Sequence, residues 1–137
     1  MKIILTSAFV ATAAALSACG TMNIGAHRLN SSPEIPGAVG TVKFKRVEGD
    51  DTGIELKVRN LAEPEQLSPP GYAYVAWVRS TPEDSPQNVG ALDLGPDLGG
   101  VLQAETPLRR FELFVTAEAT SDAPQPTGPL LLWANRE

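Results

Sequence analysis

The residues able to do chemistry in this chain are few, and their scarcity narrows the reading. Cys19 is the only cysteine, so no intramolecular disulfide can form. His27 is the only histidine, which excludes a metal cluster built on histidines and a Ser-His-Asp triad. A serine nucleophile would then need a lysine base. Beyond the N-terminal segment the lysines are Lys43, Lys45 and Lys57, all at outward positions of an alternating pattern and therefore solvated. Carboxylates gather in two places. Glu48, Asp50 and Asp51 fall in one turn, and Asp93 and Asp97 in another. Calcium prefers such oxygen ligands, but neither run has the spaced ligands of an EF-hand loop, and acidic residues are common in turns for their local hydrogen bonds. The glycines around Asp97 precede no helix and no lysine, so they do not form a phosphate loop. No catalytic residue, cofactor or metal is expected; Asp50, Asp51, Asp93 and Asp97 are the only metal candidates.

The segment leading to Cys19 has its own logic. Lys2 supplies a positive start. Ile3 to Leu16 is an apolar run of 14 residues broken only by Thr6, Ser7 and Thr12, and small residues crowd its end. A membrane-spanning helix needs roughly 20 apolar residues, so this run suits an export signal better than an anchor. Leu16-Ser17-Ala18-Cys19 resembles the lipobox of bacterial lipoproteins. The resemblance implies a diacylglyceryl group on the Cys19 thiol, cleavage just before it and acylation of the new amine. Several chains hold firmly because each buried CH₂ contributes about 0.8 kcal/mol. Gly20, where an aspartate would favour inner-membrane retention, implies the outer membrane, facing the periplasm.

The whole chain carries 11 basic and 16 acidic residues, a net charge of −5; loss of Lys2 with residues 1–18 makes it −6. Such a chain will not bind nucleic acid electrostatically, and anionic lipid should repel it. Twelve glycines and twelve prolines fit many turns between short strands.

Three regions are expected: a signal peptide over 1–18, a lipidated cysteine and flexible tether over 19–37, and a β domain over 38–137. The tether is polar and without period. Val42 and Phe44 alternate with Lys43 and Lys45, then Ile54, Leu56 and Val58 with Glu55, Lys57 and Arg59, which predicts a hairpin about the Glu48–Gly53 turn. Leu61 to Gly71, with Pro64, Pro69 and Pro70, is a loop. Tyr72 to Arg79 is apolar on both faces, as a central strand must be; Trp77 is expected in the core, with Tyr74 on the opposite face. Asn88 to Leu94, Gly99 to Glu105, Arg110 to Ala119 and Leu130 to Ala134 complete the strands; in the third, Phe111, Leu113, Val115 and Ala117 face one way and Glu112, Phe114, Thr116 and Glu118 the other. About seven strands separated by turns predict an all-β, antiparallel immunoglobulin-like sandwich.

Part of this domain resembles the extracytoplasmic C-terminal domain of anti-sigma-K factors. The likeness runs through the aromatic strand Tyr72 to Arg79 with Trp77, through Gly90 to Leu94, through Phe111 to Ala119 with Val115-Thr116-Ala117-Glu118, and through Pro126-Thr127-Gly128-Pro129 with its apolar final strand. Sigma binding is not implied, because there is no second cysteine for a zinc site and no spanning helix. The implied role is a sensor-like or protein-binding module on a lipid tether. The expected protein is therefore non-enzymatic, anchored in the cell envelope and engaged with an envelope protein through the loops Leu61–Gly71 and Ser80–Asn88. The alternative is a ligand-, glycan- or calcium-binding module.

Overall fold

The computed structural model describes residues 26–67 and 71–136. The fold is an all-β sandwich of two antiparallel five-stranded sheets. The first sheet has the order β1 (His27–Arg28), β3 (Val39–Arg46), β4 (Thr52–Arg59), β8 (Gly100–Thr106), β7 (Asp93–Leu94). The second has β2 (Asn30–Ser31), β10 (Leu130–Arg136), β9 (Phe111–Glu118), β5 (Ala73–Arg79), β6 (Gln87–Ala91). Seven of these are five residues or longer, and β1, β2 and β7 have two residues each. With β3 to β10 lettered A, B, C, C′, D, E, F and G in chain order, the sheets read A-B-E-D and G-F-C-C′, an immunoglobulin-like arrangement.

The alternating hairpin forms as its pattern requires. Val42 faces Leu56 and Phe44 faces Ile54 across β3 and β4, all buried, while Lys43, Lys45 and Lys57 point to solvent. In β9 the residues Phe111, Leu113, Val115 and Ala117 enter the core between the sheets, and Phe114, Thr116 and Glu118 lie on the other face.

Each lateral edge of the sandwich is closed by a chain that changes sheets at a buried leucine. Leu29 separates β1 from β2, donates its N–H to the Gly40 carbonyl at 2.9 Å and sits in the core. Gly40 leaves room for it, since a Cβ there would strike the Leu29 side chain. Leu92 separates β6 from β7 and donates its N–H to the Tyr74 carbonyl at 2.8 Å. An inward leucine at each crossing buries apolar surface where the backbone must leave one ladder for the other.

Three expectations are corrected. Residues 27–37 belong to the domain and not to the tether: 27–28 pair with the first sheet, 30–31 with the second, and Leu29 and Ile35 are core residues. Asn88 to Leu94 is not one strand, because it switches sheets at Leu92. Trp77 is 0 % exposed yet lies outside the inter-sheet core. It packs with Val75, Phe114 and Ala123 on the outer face of the second sheet, and Tyr74 occupies the space between the sheets. Side chains alternate along β5, and the 119–129 loop covers the face that would otherwise be wet.

Candidate functional site

A groove of about 560 Å³ crosses the outer face of the first sheet, lined among others by Val39, Lys57, Arg59, Asp93, Asp97 and Val101. Register explains the gathering. Lys57 lies opposite Val101, Val101 opposite Asp93, and Val39 opposite Arg59. Asp97 sits in the turn after β7, where its Oδ1 accepts the Gly99 N–H at 3.3 Å. Two cationic residues on β4 and two anionic residues on and after β7 thus flank exposed Val101 on β8, and half-buried Val39 extends the apolar surface beyond Arg59. The volume falls in the range of small-molecule pockets, and the mixture of apolar and charged groups also resembles a protein-binding surface.

Asp50 and Asp51 are elsewhere. They lie in the β3–β4 turn, whereas the groove lies at the other end of β4, seven residue steps or about 23 Å away at some 3.3 Å per residue. Asp50 is held by arginines, 2.9 Å from Arg109 and 3.9 Å from Arg46. The four acidic candidates therefore do not form one site. Among the described residues no group of three or more histidine, cysteine, aspartate or glutamate side chains is placed to hold a metal ion. Leu16, Ser17, Ala18 and Cys19 lie outside the described residues. His27 is exposed, its ring 5.9 Å from that of Phe44.

The most constrained polar cluster is buried beneath the 119–129 loop. Glu118 is 2 % exposed. Its Oε1 accepts the Thr116 hydroxyl at 2.6 Å and the backbone N–H groups of Thr127 at 2.8 Å and Gly128 at 3.2 Å. Its Oε2 accepts the Thr127 hydroxyl at 2.6 Å. Burial alone would push the carboxyl up, but these hydrogen bonds outweigh it and hold Glu118 below its ordinary value. The Trp77 indole N–H donates to Thr116 Oγ1 at 2.9 Å, and Asn88 ties the same loop to β6 through the Ser121 and Ala123 carbonyls. Trp77, Thr116, Glu118, Thr127 and Gly128 thus meet in one network. Its geometry is that of a latch: the acceptor capacity of Glu118 is spent on the fold.

Tyr74 is the other displaced titratable group. Burial, then the nearby charge of Glu65, pushes its phenol up to about 12, and its hydroxyl donates to the Ala62 carbonyl at 2.5 Å. This bond helps bring the loop after β4 back onto the core, where Leu61, Pro64 and Leu67 are buried. Much of the Leu61–Gly71 segment, expected as a contact surface, therefore caps the core.

At the end of the sandwich bearing the β3–β4 turn, Arg46, Arg109, Arg110 and Arg136 line a cavity of about 210 Å³ with Asp50, Asp51 and Thr52. Sequence reading missed this cluster because its members come from three separate segments. The Arg109-Arg110 pair was its one visible sign.

Comparison with protein-family models, with curated proteins and with solved structures found no match.

Proposed function

We propose that this chain is a lipid-anchored, non-enzymatic β-sandwich of the bacterial cell envelope that works by binding an envelope protein. The lipobox-like Leu16–Cys19 supports the anchor, and the resemblance to the outer domain of anti-sigma-K factors supports a sensor-like or partner-binding role without sigma binding. The observation that carries the binding reading is the groove on the first sheet. Lys57 on β4 stands opposite Val101 on β8 and Val101 opposite Asp93 on β7, with Asp97 in the turn after β7 and Val39 on β3 beyond Arg59. The two displaced titratable groups, Glu118 and Tyr74, are both engaged in holding loops, which favours binding over proton chemistry.

Crosslinking in cells followed by pull-down tests this reading, with Cys19→Ala and Arg59→Glu as controls. A partner lost in both is expected. A partner retained by Arg59→Glu moves the contact away from the groove. Membrane fractionation in which the wild type is soluble and unlipidated overturns the anchor.

The second reading is a small-ligand, glycan or calcium-binding module, favoured by the volume of the groove and by Asp93 and Asp97 both lining it. A calcium-dependent rise in melting temperature that Asp97→Asn abolishes would select it.

A further inference from the structure

The end of the sandwich that receives the N-terminal segment is also where guanidinium groups collect. Asp50 is shared between Arg109 and Arg46. Glu112, on the same end, is paired with Arg79 at 2.8 Å. Among the described residues, Arg110 and Arg136 form no ion pair. Arg136 is nevertheless held in place. Its Nη1 donates to the Thr52 hydroxyl, and its Cζ stands 5.5 Å from the centre of the Phe44 ring and 6.0 Å from that of Phe111. Thr52 in turn donates to the Leu108 carbonyl at 2.8 Å. Aromatic faces and a hydroxyl orient a guanidinium without cancelling its charge.

Arg110 and Arg136 line two adjoining hollows. One is the 210 Å³ cavity, where four arginines outnumber Asp50 and Asp51. The other, of about 530 Å³, adds Ser80, Thr81 and Asn135, together with the Glu112 carboxylate that Arg79 engages. The smaller cavity is below the roughly 300 Å³ at which pockets for drug-sized ligands begin, so it suits one compact oxyanion. The larger one offers hydroxyl and amide groups to whatever that anion is attached to. Planar guanidinium forks favour phosphate oxygens.

We propose that the Arg110–Arg136 cleft binds the phosphate of an anionic phospholipid headgroup and seats this end of the sandwich on the membrane. The inference rests on the lipid-anchor reading above. Position selects lipid over another source of phosphate. His27 pairs with Val42, and its ring lies against Phe44, the ring that Arg136 covers. The chain leading back to Cys19 therefore leaves the domain beside the cleft. Seven residue steps separate Cys19 from Ala26, which span at most about 25 Å. A weak site held that close to a lipid surface meets a high effective concentration of headgroups. Glu34, Glu63, Glu65, Asp97 and Asp122 lie on loops at the opposite end, while Glu48, Asp50, Asp51, Glu83 and Asp84 lie on loops at this one. The attraction for an anion is therefore confined to the arginines of the cleft.

The test uses the mature lipidated protein reconstituted into vesicles of phosphatidylcholine, or of phosphatidylcholine and phosphatidylglycerol in equal parts. Flotation reports the anchor, and amide hydrogen exchange at Thr52 and Phe111 reports seating. Slower exchange on the phosphatidylglycerol vesicles is expected, with each of Arg110→Gln and Arg136→Gln weakening that protection about fivefold. Arg110 is exposed, so its variant keeps the test independent of folding. Protein that floats on both vesicles with identical exchange overturns the proposal and leaves the anchor standing. Protein that does not float removes both. Equal protection by inorganic phosphate on phosphatidylcholine vesicles overturns the lipid assignment in favour of a free-anion site.

Discussion

Trp77 and Glu118 are joined by a single hydroxyl. Thr116 Oγ1 accepts the indole N–H at 2.9 Å and donates its own proton to Glu118 Oε1 at 2.6 Å. The bridge links the central strand β5 to the loop that covers it, because Glu118 also takes three donors from Thr127 and Gly128. Replacing Thr116 by valine keeps the shape and removes both bonds. It leaves the Trp77 N–H unpaired in a buried site, at an expected cost of about 2–3 kcal/mol. Urea melts of Thr116→Val, Thr127→Val and the double variant should give less than additive losses, since both hydroxyls serve one carboxylate.

Acid should loosen the same network. The Glu118 carboxyl is held below its ordinary value of 4.5, so the unfolded chain binds more protons than the folded one in the window beginning there and extending downwards. Stability is then fully present above pH 4.5 and is lost as pH falls through the folded value. Melting temperatures measured across this window should fall for the wild type and fall less for Glu118→Gln. Equal slopes would show that Glu118 does not carry the acid dependence.

Alkali probes the opposite face of β5. With its phenol raised from 10.0 to about 12, folded Tyr74 keeps a proton that the unfolded chain releases. Stability contributed below pH 10 should be lost as pH rises through about 12. The loss is on the order of 2–3 kcal/mol at 1.36 kcal/mol per unit. Tyr74→Phe should flatten this part of the profile while also losing the bond to Ala62 at neutral pH.

Gly128 is required by close approach. A Cβ there would collide with the Ala117 carbonyl, so Gly128→Ala must push the loop off β9 and stretch the bond from its N–H to Glu118. A loss of about 2 kcal/mol is expected, in the range for a strained position. Faster exchange of the Thr127 amide should accompany it, whereas unchanged exchange would show that β9 yields instead.

Leu29→Ala tests whether residues 27–37 are domain or tether. A core leucine costs about 2–5 kcal/mol on truncation, a tether leucine nothing measurable. Urea midpoints separate the two outcomes, and limited proteolysis of the variant should cut near Arg28 sooner than in the wild type.

Alternation was legible residue by residue. Val42, Phe44, Ile54, Leu56 and Val58 predicted a hairpin, and Phe111, Leu113, Val115 and Ala117 a strand with that core face, because a period of two leaves one way to bury the apolar side. Residues 27–37 were not legible, since Leu29 and Ile35 lie among polar neighbours and their pairing is supplied by β3 and β10 from far along the chain. Composition and period therefore determined an all-β sandwich, its main strands and its single cysteine and histidine. Only the tertiary structure decided which face of β5 looks inward. It also decided that Asp50 belongs with arginines and Asp93 with a groove, and that Thr116, Glu118 and Thr127 form one latch. Those relations depend on register between strands and on loops folding over a sheet, and no local pattern encodes a distance between residues that meet only after folding.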